Sequence, residues 1–123
     1  MPPRRAWTVR LSQTAQAEFR GIVRWTAAKF GKRQARLYEE TLTSALAALT
    51  AGPSQLGIKA RPEIGKGLFT LHVARAGRKG RHFILFRAIE SSDAPIVDVI
   101  RLLHDSMDLR RPAPPEEGPD PNG

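Results

Sequence analysis

The spacing of apolar residues in the first half of the chain predicts one strand followed by two helices. Residues 7–11 alternate apolar with polar, as a half-buried strand does. Over residues 13–30 the apolar positions follow the helical period, Ser12 supplies an N-cap hydroxyl, and Gly31 ends the segment. Residues 32–51 repeat that pattern up to a Gly-Pro pair. The buried stripe of the first helix is predicted to contain Ala15, Phe19, Ile22, Thr26 and Phe30. Two amphipathic helices joined at a glycine predict an antiparallel hairpin.

The second half of the chain predicts three strands. Their segments are residues 68–74, 81–87 and 96–103, and residues 81–87 are apolar on both faces, as in a central strand. Short turns connect the segments, which predicts antiparallel pairing. Residues 54–66 have no clean period, so we interpret them as a loop. The predicted fold is α+β in the order β-α-α-β-β-β, with the two-helix hairpin packed on one face of a mainly antiparallel, four-stranded sheet.

Composition indicates a small basic domain. The 123 residues include 20 Lys and Arg against 12 Asp and Glu, a formal net charge of +8. That balance indicates an acidic partner, which could be nucleic acid, an anionic surface or an acidic protein segment. The chain has no cysteine, which excludes disulfides, thiolate metal sites and a cysteine nucleophile.

The sequence carries no signal for a membrane, a metal or a cofactor. No stretch approaches the ~18 apolar residues that span a bilayer. The start has no apolar run of the kind a secretory signal contains, so we expect a cytoplasmic protein. No pair of histidines has a metal-ligand spacing with a carboxylate. The glycines lack the strand–GxGxxG–helix context of a nucleotide site. We therefore predict no metal and no cofactor.

The C-terminal residues differ in composition from the rest. Residues 112–123 contain five of the ten prolines and three acidic residues. Such a segment neither forms regular backbone hydrogen bonds nor buries much area. We predict a folded domain over residues 1–109 and a disordered, proline-rich acidic tail over residues 110–123.

Four short segments occur in an order found in a known family. They read LSQTA at 11–15, FGKRQA at 30–35, GRHFILFR at 80–87 and VIRLLHDSMD at 99–108. Together they resemble the RelE/ParE superfamily of small bacterial toxins from toxin–antitoxin operons. The last segment, near the end of a chain of this length, is similar to the ParE branch in particular. The fold that this resemblance implies agrees with the one predicted above.

The resemblance also implies a function. It indicates the toxin of a type II toxin–antitoxin module, which causes growth arrest, takes part in plasmid stabilization and forms a hetero-oligomer with an acidic, ParD-like antitoxin. ParE-branch toxins inhibit DNA gyrase, whereas RelE-branch toxins cut messenger RNA on the ribosome. We expect a gyrase inhibitor without catalysis. A RelE-like ribosome-dependent endoribonuclease and an inert antitoxin-binding module remain the alternatives.

The residues offer candidates for a nuclease but not a full set. Cleavage through a 2′-hydroxyl needs a base, a cation beside the phosphate and an acid. The candidates are Arg61, Arg81, His82, Arg87 and His104. RelE-type enzymes combine clustered Lys and Arg with a Tyr or His near the C-terminus. Here neither follows His104, and Tyr38, the only tyrosine, falls on the predicted buried stripe of the second helix. The residues favour an inhibitor.

Each histidine also has a structural interpretation. His82 stands at the entrance of an apolar strand, where we expect a hydrogen-bonding role. His104 closes the last strand and is expected to satisfy backbone groups where the chain turns. His72 alternates onto the polar side of its strand, where we expect it to be solvated.

A run of positive charge between residues 59 and 81 contains seven cations against one carboxylate, Glu63. Such a run speeds association with an acidic partner. Sequence-specific DNA reading is not expected, because no recognition helix presents base-reading side chains. The predicted antitoxin-binding residues are Lys59, Arg61, Lys66, Arg75, Arg78 and Lys79. The predicted target-binding residues, from their strand positions and the resemblance, are Arg81, Arg87, Arg101, Asp105 and Asp108.

Overall fold

The computed structural model describes residues 6–90 and 93–107, and every element below belongs to that part of the chain. The elements are β1 (Thr8–Leu11), α1 (Gln13–Phe30), α2 (Lys32–Ala48), a 3-10 turn (Leu49–Ala51), β2 (Ile58–Ala60), β3 (Leu68–His72), β4 (His82–Ile89) and β5 (Ile96–His104). The predicted tail, residues 110–123, lies outside the described residues.

The strands form one sheet in the order β1-β5-β4-β3-β2. β3, β4 and β5 pair antiparallel, as their short turns predict, and β1 pairs parallel with β5. The α+β class and the helical hairpin on one face are confirmed. The loop interpretation of residues 54–66 is wrong in part, because Ile58–Ala60 pairs with β3 and adds a fifth strand. That strand has only three residues and is largely exposed, so it is too short to show a hydrophobic period in the sequence.

Local signals set the ends of both helices. The Ser12 hydroxyl accepts a hydrogen bond from the Ala15 amide at 3.0 Å, as an N-cap does. The same hydroxyl donates to the Ile100 carbonyl at 2.8 Å, which ties the start of α1 to β5. Gly31 separates α1 from α2 at φ +93°, a conformation that favours glycine. The helical pattern over 32–51 ends as a 3-10 turn before Gly52.

The core lies between the hairpin and the sheet. Ile22 and Leu42 pack with Ile84 and Phe86 of β4, all nearly inaccessible to solvent. A smaller cluster on the opposite face contains Leu68, Leu85 and Leu103, so β4 is covered on both sides, as its sequence predicts. Phe30 departs from its predicted place on the buried stripe. It is the last residue of α1, beyond the reach of the sheet, and its side chain is 63% exposed.

Candidate functional site

A groove opens at the Gly31 end of the hairpin, where α1 and α2 meet the turn between β3 and β4. Its volume is about 550 Å³. Trp25, Phe30, Leu37 and Tyr38 line one wall, and the rim carries three cations, Arg78, Lys79 and Arg81. The rings of Trp25 and Phe30 meet edge to face with centroids 5.7 Å apart. We call this feature the aromatic groove.

The floor of the aromatic groove is a chain of hydrogen bonds between α2 and β4. The Tyr38 hydroxyl accepts from the Arg81 amide at 2.9 Å and lies 2.7 Å from His82 Nδ1. Because the amide can only donate, the hydroxyl proton is available to Nδ1, which assigns the neutral His82 ring its proton on Nε2. Gly80 lets the turn approach this closely, since a Cβ there would lie 2.5 Å from Val73 Cγ2 and 3.2 Å from the tyrosine hydroxyl.

His82 is the buried titratable group of this site. The residue is only 3% exposed. Its Nε2 has no hydrogen-bond partner among the described residues. Burial, followed by repulsion from His104, lowers the pKa of His82 to about 4. The two rings lie 5.2 Å apart. His82 is therefore neutral near pH 7, and its expected hydrogen-bonding role is fulfilled through Tyr38. Burial also disfavours the charged form of Tyr38, which raises the pKa of its hydroxyl.

Asp105 joins the end of β5 to the rim of the aromatic groove. Its carboxylate accepts from Arg81 Nε at 3.0 Å and contacts His72 Nε2 at 3.0 Å. Its amide donates to the Arg81 carbonyl at 2.7 Å. Burial by itself would raise the pKa of Asp105, but the hydrogen bonds from His72 and Arg81 outweigh it and hold that pKa below its usual range. The Arg81 guanidinium is thus held in place while its side chain stays 68% exposed.

His72 and His104 both form contacts near the end of β5. The solvated interpretation of His72 is wrong, because its side chain is only 28% exposed and its Nε2 lies 3.0 Å from the carboxylate of Asp105, the residue after β5. His104 Nδ1 accepts from the Ser106 amide at 3.1 Å, so its expected role at the turn is confirmed.

Three of the nuclease candidates lie together, and two lie apart from them. Arg81, His82 and His104 meet near Tyr38, where the two imidazole rings are 5.2 Å apart and the Arg81 amide contacts the same hydroxyl as His82. His82 lies on the helix side of β4. Arg87 lies on the opposite face, five residues and about 17 Å along the strand. Arg61 is also on that opposite face, where its Nε donates to Thr70 at 2.8 Å and its guanidinium stacks over Phe83 at 5.5 Å.

The predicted target-binding residues occupy different environments. Arg81 and Arg87 are exposed. Arg101 is engaged by Glu18 of α1, with its Nε 2.9 Å and its Nη2 2.6 Å from one carboxylate oxygen. Asp105 holds Arg81. Asp108 lies outside the described residues.

The basic run of residues 59–81 is divided between the two faces of the sheet. Arg78 and Lys79 lie on the rim of the aromatic groove, and Arg78 Nη1 is 3.4 Å from the Thr41 hydroxyl of α2. Arg61 lies on the face opposite the helices, and Lys59 is exposed on the edge strand β2. Lys66 is exposed, whereas Arg75 is half-buried in the turn after β3. The sequence run therefore does not form one patch.

Sequence reasoning missed the aromatic wall. The helical pattern places Phe30 and Tyr38 only on buried stripes. One signal for Tyr38 was available, because a tyrosine on an apolar stripe needs a hydrogen-bond partner for its hydroxyl. Its partner, His82, is 44 positions away, so only the tertiary structure identifies it.

Within the described part of the chain, no helix has the length and apolar content needed to cross a membrane. The same residues contain no group of three or more His, Asp or Glu arranged to hold a metal ion.

Comparison with known proteins gives a family and a fold. Residues 9–109 match the family model described as ParE toxin of type II toxin-antitoxin system, parDE. Comparison with curated protein sequences gives no match. Among solved structures, the chromosomal ParDE TA system from P. aeruginosa is similar at a TM-score of 0.62 and 16% identity, covering 80% of this chain and 95% of that one. The YoeB/ParE toxin from Agrobacterium tumefaciens is similar at a TM-score of 0.52 and 12% identity, covering 79% and 96%. At these identities the solved structures support the fold alone.

Proposed function

We propose that this chain, which belongs to the ParE toxin family of type II toxin–antitoxin systems, arrests growth by binding DNA gyrase and cleaves no RNA itself. Membership of the family implies an antitoxin partner. The proposal assigns the toxin domain to residues 1–109, the tail to residues 110–123, and the site of action to the cytoplasm. It includes no metal and no cofactor.

The burial and hydrogen bonding of the two histidines carry the proposal. A phosphodiester must contact the base and the stabilising cation together, within hydrogen-bond distance of each. His82 is buried, neutral and committed to Tyr38. Arg61 and Arg87 lie across the sheet from it. His104 uses Nδ1 for the turn at Ser106. Arg81 is the candidate cation beside the histidines, and there His82 is buried and His104 is engaged in the turn, which favours a binding surface over a catalytic site.

Arg81 is the cation best placed for target binding. Asp105 fixes its Nε, so the guanidinium presents its remaining donors without the entropic cost of ordering a free side chain. Arg87 is a second exposed cation on the sheet. Arg101, by contrast, is 14% exposed and bound to Glu18, so a substitution there perturbs the packing of α1 on β5 as well as any target contact.

A supercoiling assay with purified gyrase tests the proposal. The wild-type chain should inhibit, and Arg81→Ala should weaken inhibition by roughly tenfold, the effect of losing one charged hydrogen-bonding group. Arg20→Ala, which removes an exposed arginine from α1, should leave inhibition unchanged. Circular dichroism should show that all three proteins are folded.

Other results would overturn it. Messenger RNA cut on ribosomes while supercoiling continues would establish the endoribonuclease alternative. Induced expression that neither arrests growth nor inhibits gyrase would establish an inert antitoxin-binding module. Equal inhibition by wild type and Arg81→Ala would remove Arg81 from the target-binding surface.

For the antitoxin, we propose that an amphipathic helix with acidic residues lies in the aromatic groove and that the adjoining segment extends an edge of the sheet. Phe30 and Leu37, 63% and 46% exposed, offer apolar contacts, and Arg78 and Lys79 offer charge.

The charged part of this contact predicts salt dependence. A peptide from the antitoxin's acidic C-terminal segment should bind more weakly as salt is raised, because exposed charges are screened. At low salt the double substitution of Arg78 and Lys79 by alanine should reduce affinity. Arg87→Ala, a cation on the other face, should not. Calorimetric titration that gives one affinity at low and high salt would contradict the electrostatic contribution.

A further inference from the structure

The aromatic groove has a composition that is typical of one kind of ligand. Its wall presents aromatic rings from Trp25, Phe30 and Tyr38 in an open cleft, and its rim is cationic. Grooves lined with aromatic side chains bind proline-rich segments in the polyproline II conformation, which need little ordering before they bind. A cationic rim adds a preference for acidic residues in that segment.

This chain contains a segment of that composition. We propose that its own residues 112–123 occupy the aromatic groove, in the same molecule. The segment reads PAPPEEGPDPNG, with five prolines, including a PxxP spacing at Pro112 and Pro115, three acidic residues and no lysine or arginine. The prolines pack against the rings, and the carboxylates of Glu116, Glu117 and Asp120 face the rim.

Charge complementarity supports this occupant. Arg78, Lys79 and Arg81 lie on the rim. Among the described residues only Asp105 pairs with any of them, and it uses the Arg81 Nε. Lys79 has no ion pair in the described part of the chain, and Arg78 has only the long contact to Thr41. The rim therefore carries uncompensated positive charge, and the segment carries only negative charge.

The chain leaves the described structure on the face of the sheet opposite the groove, where Met107 packs against the cluster of Leu68, Leu85 and Leu103. Its last described residue, Met107, follows Asp105 by two positions, and Asp105 is bound to Arg81 on the rim. Glu116 follows Met107 by nine positions. At ~3.1 Å per residue in polyproline II they span about 28 Å. This length allows the segment to pass around the end of the sheet at Asp105 and Arg81 and to enter the groove.

Occupation by the tail would make the groove self-protected. A helix that docks there must displace a segment at high effective concentration, because the two are covalently joined. In that case the tail lowers the apparent affinity of the antitoxin. This consequence rests on the antitoxin docking proposed above, whereas the occupation itself does not.

A spin label on the tail tests occupation directly in the full-length chain. The native chain has no cysteine, so Gly118→Cys can be labelled with a nitroxide at one site only. The two tryptophan indole NH signals report the result. Trp25 lies in the groove, and Trp7 lies against Gly52 at the other end of α2. Occupation should broaden the Trp25 signal and spare the Trp7 signal.

Two further measurements test whether the contact depends on charge and whether it lies within one molecule. Glu116→Lys with Glu117→Lys in the labelled chain should restore the Trp25 signal, and so should high salt, because both remove the charge attraction. Mixing isotope-labelled chain with spin-labelled, unenriched chain should leave Trp25 sharp, since the contact is within one molecule.

The proposal is overturned if Trp25 stays sharp in the labelled chain, if both tryptophans broaden equally, or if broadening appears in the mixed sample. None of these measurements involves gyrase or antitoxin. Failure of the tail proposal is therefore distinct from failure of the proposed function.

Discussion

Replacing Glu18 by alanine should lower the free energy of unfolding by about 3 kcal/mol, the cost of removing one partner from a largely buried ion pair. Glu18 is 20% and Arg101 14% exposed, and the carboxylate also accepts from the Leu102 amide at 2.9 Å. The substitution removes a carboxylate that contacts the Arg101 guanidinium in a site of low exposure and takes away the acceptor of the Leu102 amide. It also loosens α1 from β5, because Glu18 joins the two elements through Arg101 and Leu102. Urea unfolding followed by circular dichroism measures the loss.

Glu63→Ala is the matched control for that prediction. It removes the same side chain from an exposed pair, 3.6 Å from Arg61 at 41% exposure, and should cost less than ~1 kcal/mol. Glu18→Gln keeps the size of the side chain and can still accept from the Leu102 amide, so its loss should be intermediate. A Glu18→Ala loss no larger than that of Glu63→Ala would show that the pair does not hold α1 to β5.

The stability of the chain should fall by about 3 kcal/mol when the pH is lowered from about 6.5 to about 4, because of His82. Its pKa in the folded chain is about 4, below the ~6.5 of an unfolded chain. Between these values the unfolded state binds a proton that the folded state excludes. Stability is therefore full above pH 6.5 and decreases as the pH falls toward 4. At ~1.4 kcal/mol per pH unit the full window gives the stated loss.

Two measurements identify His82 as the cause. His82→Gln should flatten the dependence of stability on pH across that window relative to wild type. In the wild-type chain, NMR titration of the His82 ring should show no protonation until the pH approaches 4. Asp105, whose pKa lies below its usual range, also loses its contribution as pH falls, but only below that window. A His82 ring that titrates near pH 6.5 would contradict the prediction whatever the variant does.

The Glu18–Arg101 ion pair and the acid sensitivity of His82 both affect the choice of variants and pH for functional assays. Arg101 cannot serve as a simple probe of target binding, because its guanidinium is part of the α1–β5 contact. Arg81 can, because it is largely exposed and its backbone contacts to Tyr38 and Asp105 persist in alanine. The acid sensitivity conferred by His82 means that binding assays on variants should be compared at one pH above 6.5.

Features of short range were predictable from the sequence. The Ser12 cap, the stop at Gly31 and the helical stripe through Ile22 depend on residues within a few positions of each other. The double-faced apolar run that ends at Arg87 correctly predicted a central strand, because only a strand covered on both sides buries both of its faces. Phe30 was placed on the buried stripe but is exposed, because helical periodicity does not show how far along the helix the sheet extends.

The sequence by itself determined the order and type of the main elements, the helical hairpin, the central strand and the family resemblance. The tertiary structure alone decided the pairing of Tyr38 with His82, the contact of Asp105 with Arg81 and His72, and the division of the basic run between two faces. These contacts join residues 24 to 44 positions apart. Periodicity reports only which side of an element is buried. Strand register and the packing of one element on another determine which distant side chains meet.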